Sequence, residues 1–150
     1  MSKFSVCFVL VVSILMLACS KEDVSGAEEE QIESYISTKK LVVTEKTSSG
    51  LRYIRTLAST GASLIAGQTI TVKYAGRLLS DKQFDAGTFS FKLGAGQVVG
   101  GFDEGIAKMK VGEKATIIFP SSLGYGSQGA GSTIPANAPL VFDIEVVSAK

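Results

Sequence analysis

The chain has 150 residues, with 15 Lys and Arg against 14 Asp and Glu. That is room for one ordinary domain plus extensions, and the near balance of charge leaves no basic field for nucleic acid. Histidine is absent, which excludes Ser-His and Cys-His nucleophilic catalysis and most zinc sites. Chemistry must therefore rest on carboxylates, hydroxyls, backbone groups or burial, and no metal or other cofactor is expected.

Residues 4–18, FSVCFVLVVSILMLA, carry no charge and follow Lys3. The run falls short of the roughly 20 residues a permanent membrane helix needs. A basic start, an apolar middle and a small residue at the end read as a secretory signal over residues 1–18. The next residue is Cys19, and MLAC resembles the lipobox of bacterial lipoproteins, with Met16 where Leu is commoner. The resemblance implies cleavage before Cys19 and lipidation of its thiol. An ordinary soluble secreted protein cut nearby is the alternative. Cys7 leaves with the signal, so the exported chain keeps one thiol and no internal disulfide. Only Lys3 among the basic residues lies in the signal, so the remainder balances the 14 acids. CSKED resembles the Lys-plus-acid signals of some surface lipoproteins of the Bacteroidota. The expected location is the bacterial cell envelope, lipid-anchored at the outer membrane on its periplasmic face or at the cell surface.

Residues 19–47 read as a lipidated tether with a short helix. SKEDVSGAEEE is polar and nearly free of apolar residues. EEEQIESYISTKK then spaces Ile32, Tyr35 and Ile36 as a helix does, acids first and lysines last. Whether that helix docks or merely links is open at this point. From residue 48 to 150 the pattern is that of a folded domain. GLRYIRTL is strand-like. TITVKYAGRL alternates Ile70, Val72 and Tyr74 with Thr71 and Lys73, a half-buried strand. TFSFKLG alternates Phe89, Phe91 and Leu93. GFDEGIAKM sets Phe102, Ile106 and Met109 on one helical face. EKATIIFP and PLVFDIEVVS are further strands, the second alternating Val141 or Phe142 with Asp143 and Glu145. Several strands, one short internal helix and no βαβ rhythm indicate an α+β fold with an antiparallel sheet.

Gly124-Tyr125-Gly126-Ser127-Gln128-Gly129 is a literal G-x-G-x-x-G. A dinucleotide site needs that motif to open a helix whose N-terminus meets the pyrophosphate. AGSTIPANAP follows instead, with two prolines and no helical period, which argues against phosphate binding. The glycines read as slack in a flap. Asp103 and Glu104 are neighbours on a helix and point about 100° apart, a solvated face rather than a hydrolytic pair.

VKYAGRL, KQFDAG, FSFKLGAGQVVGGFDEGIAKMKVGEKATIIFP, SSLGYGSQGAG and STIPANAPLVFDIEVV occur in that order. Together they resemble the FKBP-type peptidyl-prolyl cis-trans isomerases, over residues 48–150. The resemblance implies a twisted antiparallel sheet curled around one short helix, and an aromatic pocket for a proline ring. It implies Tyr74, Phe84, Phe89, Val98, Val99, Phe102 and Ile134 as substrate-binding residues, with Asp85, Tyr125 and Phe142 as catalytic residues. Phe91 and Phe119 are expected in the core. Asp85 is expected at the pocket wall near the Tyr125 hydroxyl. Three departures from the family pattern stand out: Phe102 where Trp is usual, a shortened DAGTF segment without an arginine that can brace the aspartate, and the small Ala130 and Thr133 in the loop. They imply retained activity with a looser pocket.

Isomerising an X-Pro bond breaks no covalent bond; the barrier, about 18–20 kcal/mol for a peptide bond, is lost amide resonance. The twisted amide is less dipolar than the planar one, so an apolar pocket binds it preferentially. On this reading Phe84, Val99, Phe102 and Phe142 enclose the ring, the Ile134 N–H holds a substrate carbonyl, and Asp85 and Tyr125 shape the local field. The implied partners are proline-containing polypeptides of the export pathway and macrolide inhibitors, with the protein monomeric. The alternatives are a proline-peptide-binding chaperone with little turnover, or a structural envelope lipoprotein.

Overall fold

The structure, a computed structural model, describes residues 21–150. The expected signal segment and Cys19 lie outside the described residues. The elements run α1 (Lys21–Lys39), β1 (Glu45–Lys46), β2 (Arg52–Leu57), β3 (Thr69–Leu78), β4 (Gln83–Lys92), α2 (Gly100–Ala107), β5 (Lys114–Phe119) and β6 (Leu140–Ala149). Two 3₁₀ turns, Ser121–Leu123 and Gly126–Gln128, lie between β5 and β6.

All strand pairs are antiparallel, and the six strands lie in the order β1-β2-β5-β6-β3-β4. The fold is α+β with an antiparallel sheet, as expected, but with a helix on each face of the sheet rather than one. Alternation sorts the side chains. On the inner face Tyr53, Val72, Phe91, Ala115, Ile117, Phe119, Phe142, Ile144 and Val146 form the main core with Phe102, Ile106 and Met109. On the outer face Ile54, Ile118 and Val141 pack against Ile32, Tyr35 and Ile36 of α1. Covered on both faces, β5 is buried at every position of ATIIF rather than at alternate ones, with Thr116 the one polar residue in the run. β6 settles the register left open by its sequence. Phe142 faces α2, while Val141 shares the outer face with Asp143 and Glu145.

Helix α1 differs from the expected tether. It begins at Lys21 and runs 19 residues through the polar stretch. Its polar residues have tertiary partners that composition does not reveal. Glu28 is buried against Ser121. Arg52, only 2% exposed, reaches Glu33 at 2.5 Å and Glu29 at 3.1 Å. The helix ends at Lys39, and Lys40, with a positive φ of 53°, turns the chain and leaves the Leu41 N–H donating to the Ile36 carbonyl at 3.0 Å.

Helix α2 lies close on β5 because its sheet-facing positions include glycine. A Cβ on Gly101 would overlap the Phe119 ring, and one on Gly105 would come within 2.7 Å of Ile117. That depth carries Phe102 into the space between helix and sheet. The loop after α2 is pinned by Glu113, which is buried and accepts from the Tyr53 hydroxyl and from Arg55 Nε. Burial first, then that carboxylate, push the Tyr53 hydroxyl well above the usual tyrosine range.

Gly101→Ala is expected to destabilise the fold by about 1–3 kcal/mol, the usual cost of overpacking a filled core. A thermal melt that leaves Tm unchanged would show that α2 can lift without cost.

Candidate functional site

Strict alternation forbids two adjacent strand residues from lining one cavity. Phe84 and Asp85 nevertheless do so. The reason is a register break in β4. Asp85 pairs with Gly76 and Gln83 with Arg77, which leaves Phe84 as an extra residue. Such a bulge re-aims its side chain, here over Gly76. A Cβ on Gly76 would lie 2.6 Å from the Phe142 ring and 2.7 Å from the Phe84 ring. Only glycine lets those rings meet, edge to face with centroids 5.6 Å apart.

Phe102 from α2 closes the floor, 5.1 Å from Phe142 and 6.0 Å from Tyr74 between centroids. Phe89 stands 5.2 Å from Tyr74. The cavity so formed holds about 480 Å³ and is lined by Tyr74, Phe84, Asp85, Phe89, Gln97, Val98, Val99, Phe102, Tyr125 and Phe142. Its size and its apolar walls with a few polar groups suit a small ring. A larger depression of about 800 Å³ lies between α1 and the β3–β4 turn. Glu30, Gln31, Ser34, Thr38, Lys39 and Asp81 line most of it, so it lacks the aromatic enclosure of the first.

Asp85 sits at the rim, exposed, and accepts the Tyr74 hydroxyl at 2.7 Å. Asp85 and Tyr125 line the same cavity, as expected, but the hydrogen-bond partner of Asp85 is Tyr74. The bond to Asp85, helped by burial, pushes the Tyr74 hydroxyl up to about 12. Tyr125 is 41% exposed at the mouth, and no hydrogen bond to its hydroxyl occurs among the described residues. Gln97 was not anticipated. Its Oε1 accepts the Lys92 N–H at 2.8 Å, bringing it to the cavity wall, and its exposed polar position gave no periodic signal.

Ile134 differs from expectation. Its side chain is buried in the main core and does not line the cavity. Its N–H donates to the Ala130 carbonyl at 3.1 Å, and Ala130 returns the bond at 2.9 Å. It is therefore not free to hold a substrate carbonyl. Gly129 makes that small bridge possible. It has a positive φ of 61°, and a Cβ there would overlap the Ile134 carbonyl oxygen. Close approach, not slack, accounts for this glycine. Val99 offers an alternative donor. It caps α2 in an extended conformation, and its N–H has no acceptor among the described residues. Asp103 accepts the Gly94 N–H and Glu104 accepts the Ser49 hydroxyl, both away from the cavity. Among the described residues no group of acids and cysteines could hold a metal ion.

The sequence profile described as FKBP-type peptidyl-prolyl cis-trans isomerase matches residues 61–147. The chain belongs to that family. FK506-binding protein 1 of Dictyostelium discoideum is 48% identical over 89 residues, 56% of this chain and 83% of that one. The crystal structure of FkpA from Escherichia coli matches with a TM-score of 0.72 at 31% identity, over 86% of this chain and 62% of that one. The peptidyl-prolyl cis-trans isomerase of Pseudomonas syringae pv. tomato matches with a TM-score of 0.72 at 27% identity, over 85% and 96% of the two chains. In this FKBP chain α1, β1 and β2 precede the matched segment.

Asp85→Asn is expected to bring the Tyr74 titration back from about 12 toward the ordinary tyrosine value of about 10, read by tyrosinate absorbance. The raised value means that the folded state holds its proton longer. The stability this bond contributes is therefore full below about pH 10 and lost as the pH rises through about 12. An unchanged Tyr74 titration in the variant would show that burial alone sets it.

Proposed function

We propose that this FKBP-type chain is a working peptidyl-prolyl cis-trans isomerase that accelerates folding of exported proteins at the bacterial cell envelope. The observation that carries the reading is the aromatic-lined cavity of Phe84, Phe89, Phe102, Phe142 and Tyr74, with one carboxylate, Asp85, at its rim. A prolyl ring fits its volume. Its apolar walls disfavour the planar, dipolar amide relative to the twisted one, which is differential binding of the transition state.

The roles follow from position. Phe84, Val99, Phe102 and Phe142 enclose the ring, with Phe89 and Val98 beside them. The Val99 N–H is the donor for a substrate carbonyl, since the Ile134 N–H is committed to Ala130. The Tyr125 hydroxyl, at the mouth, supplies a second donor. Asp85, held by Tyr74, sets the field at the twisting bond and transfers no proton. The relatives' name, FK506-binding protein, supports the same cavity as the site for a macrolide of that type. The uncharged run before Cys19, the lipobox-like MLAC and the Lys-plus-acid start of CSKED support a lipid anchor and an envelope location, where proline-containing clients would be met.

Two experiments test this. In a proline-limited refolding assay, the folded domain is expected to speed refolding at catalytic concentrations, with kcat/KM flat from about pH 6 to 8, since no histidine titrates there. Phe102→Trp is expected to change kcat/KM by refilling the floor. No acceleration would overturn the enzymatic reading, and an unaltered Phe102→Trp would remove Phe102 from the floor. For the anchor, metabolic labelling with a palmitate analogue is expected in the wild type and lost in Cys19→Ala. An unlabelled wild type would sink the lipoprotein reading.

A further inference from the structure

A buried carboxylate is costly unless hydrogen bonds satisfy it. Glu28 of α1 is 4% exposed, and both of its oxygens go to one residue. Oε2 accepts the Ser121 N–H and Oε1 accepts the Ser121 hydroxyl, each at 2.6 Å. No Lys or Arg pairs with it among the described residues, whereas its neighbours Glu29 and Glu33 take Arg52.

Ser121 opens the 3₁₀ turn Ser121–Leu123, and Tyr125 follows two residues after that turn. The turn thus joins Ser121, held by Glu28, to Tyr125, which lines the cavity. Leu123 lies beside the start of α2, where a Cβ on Gly100 would be 4.0 Å from Leu123 Cδ2. Gly124 is seated on Leu140 and Phe119, 3.1 and 3.5 Å from its Cβ position. Tyr125 itself is half out in solvent, and its hydroxyl finds no partner among the described residues. Its place therefore depends on the backbone of the turn, whose first residue is held by Glu28.

We propose that Glu28 is a positioning residue for the isomerase cavity: by gripping Ser121 it fixes the turn that presents Tyr125. Helix α1, which lies before the family-matched segment at residues 61–147, thereby becomes part of the working enzyme. The inference rests on the isomerase reading above and deepens it.

The test is a double-mutant cycle on the folded chain, which isolates coupling between two sites. Glu28→Ala and Ser121→Ala are each made in the wild type and in Tyr125→Ala, and assayed on a prolyl peptide well below Tm. Hydrogen exchange is followed over residues 121–129. Hydrogen bonds to a charged group are among the stronger ones. Glu28→Ala is therefore expected to lower kcat/KM about tenfold, and Ser121→Ala by less, since its N–H remains. In Tyr125→Ala neither change is expected to matter further. Exchange is expected to quicken over the turn and to stay unchanged in β5 and β6. Equal losses in both backgrounds would overturn the proposal, as would native exchange with unaltered kcat/KM. If Glu28→Ala does not fold, Ser121→Ala decides by the same criteria. A wild type without turnover refutes the isomerase reading itself, and quickened or native exchange over the turn then supports or refutes the brace by itself.

Discussion

The depth at which α2 sits on β5 governs the arrangement of the site. Gly101 and Gly105 remove the side chains that would hold the helix off Phe119 and Ile117. Phe102, one position from Gly101, is thereby lowered until it meets Tyr74, Phe89, Phe91 and Phe142 at centroid distances of 5.1 to 6.0 Å. A helix raised by even one methyl would open that cluster. Packed interiors do not deform smoothly, so the cavity exists at this helix position or not at all. Gly76 plays the matching part on the sheet side, letting Phe84 and Phe142 close the opposite wall.

Much of this was legible in the sequence, for a physical reason. Where one face of a strand is buried, alternation is enforced residue by residue. Ile70, Val72 and Tyr74 in β3 show it, as do Phe142, Ile144 and Val146 in β6. Tyr74, Phe89 and Phe142 fall at such strand positions and Phe102 on the apolar stripe of α2, while Phe84 and Tyr125 are named by family likeness alone. What stayed hidden depends on contacts distant in the chain. The start of α1 at Lys21 could not be read from a polar segment, because Glu28 and Arg52 find their partners only in the fold. The bulge at Phe84 breaks the alternation that such a reading assumes. The pairing of Asp85 with Tyr74 and the bridge that occupies the Ile134 N–H are likewise tertiary facts. G-x-G-x-x-G misleads because spacing alone does not say whether a glycine serves a ligand or a neighbouring carbonyl.

The cavity also shows how a chain without histidine is equipped for chemistry. Its polar groups are a carboxylate, two tyrosine hydroxyls, a glutamine and a backbone amide. No side chain of these types ordinarily titrates near neutrality in a free peptide. Such a set suits a reaction that turns a bond without moving a proton, and it is poorly suited to one that must cleave a bond.

The two-sided sheet has a consequence for anyone trimming the chain. The family match begins at residue 61, after α1, β1 and β2. A fragment cut at that boundary would keep the whole aromatic cavity. It would also lose β2, leaving β5 as a naked edge strand, and uncover Ile118 and Val141 on the face that α1 shields. Unpaired backbone beside bared aliphatic surface invites edge-to-edge association. The shortest piece that contains the site thus bares an edge and an apolar face that the whole fold covers, and residues 21–60 act as the sheet's own shield.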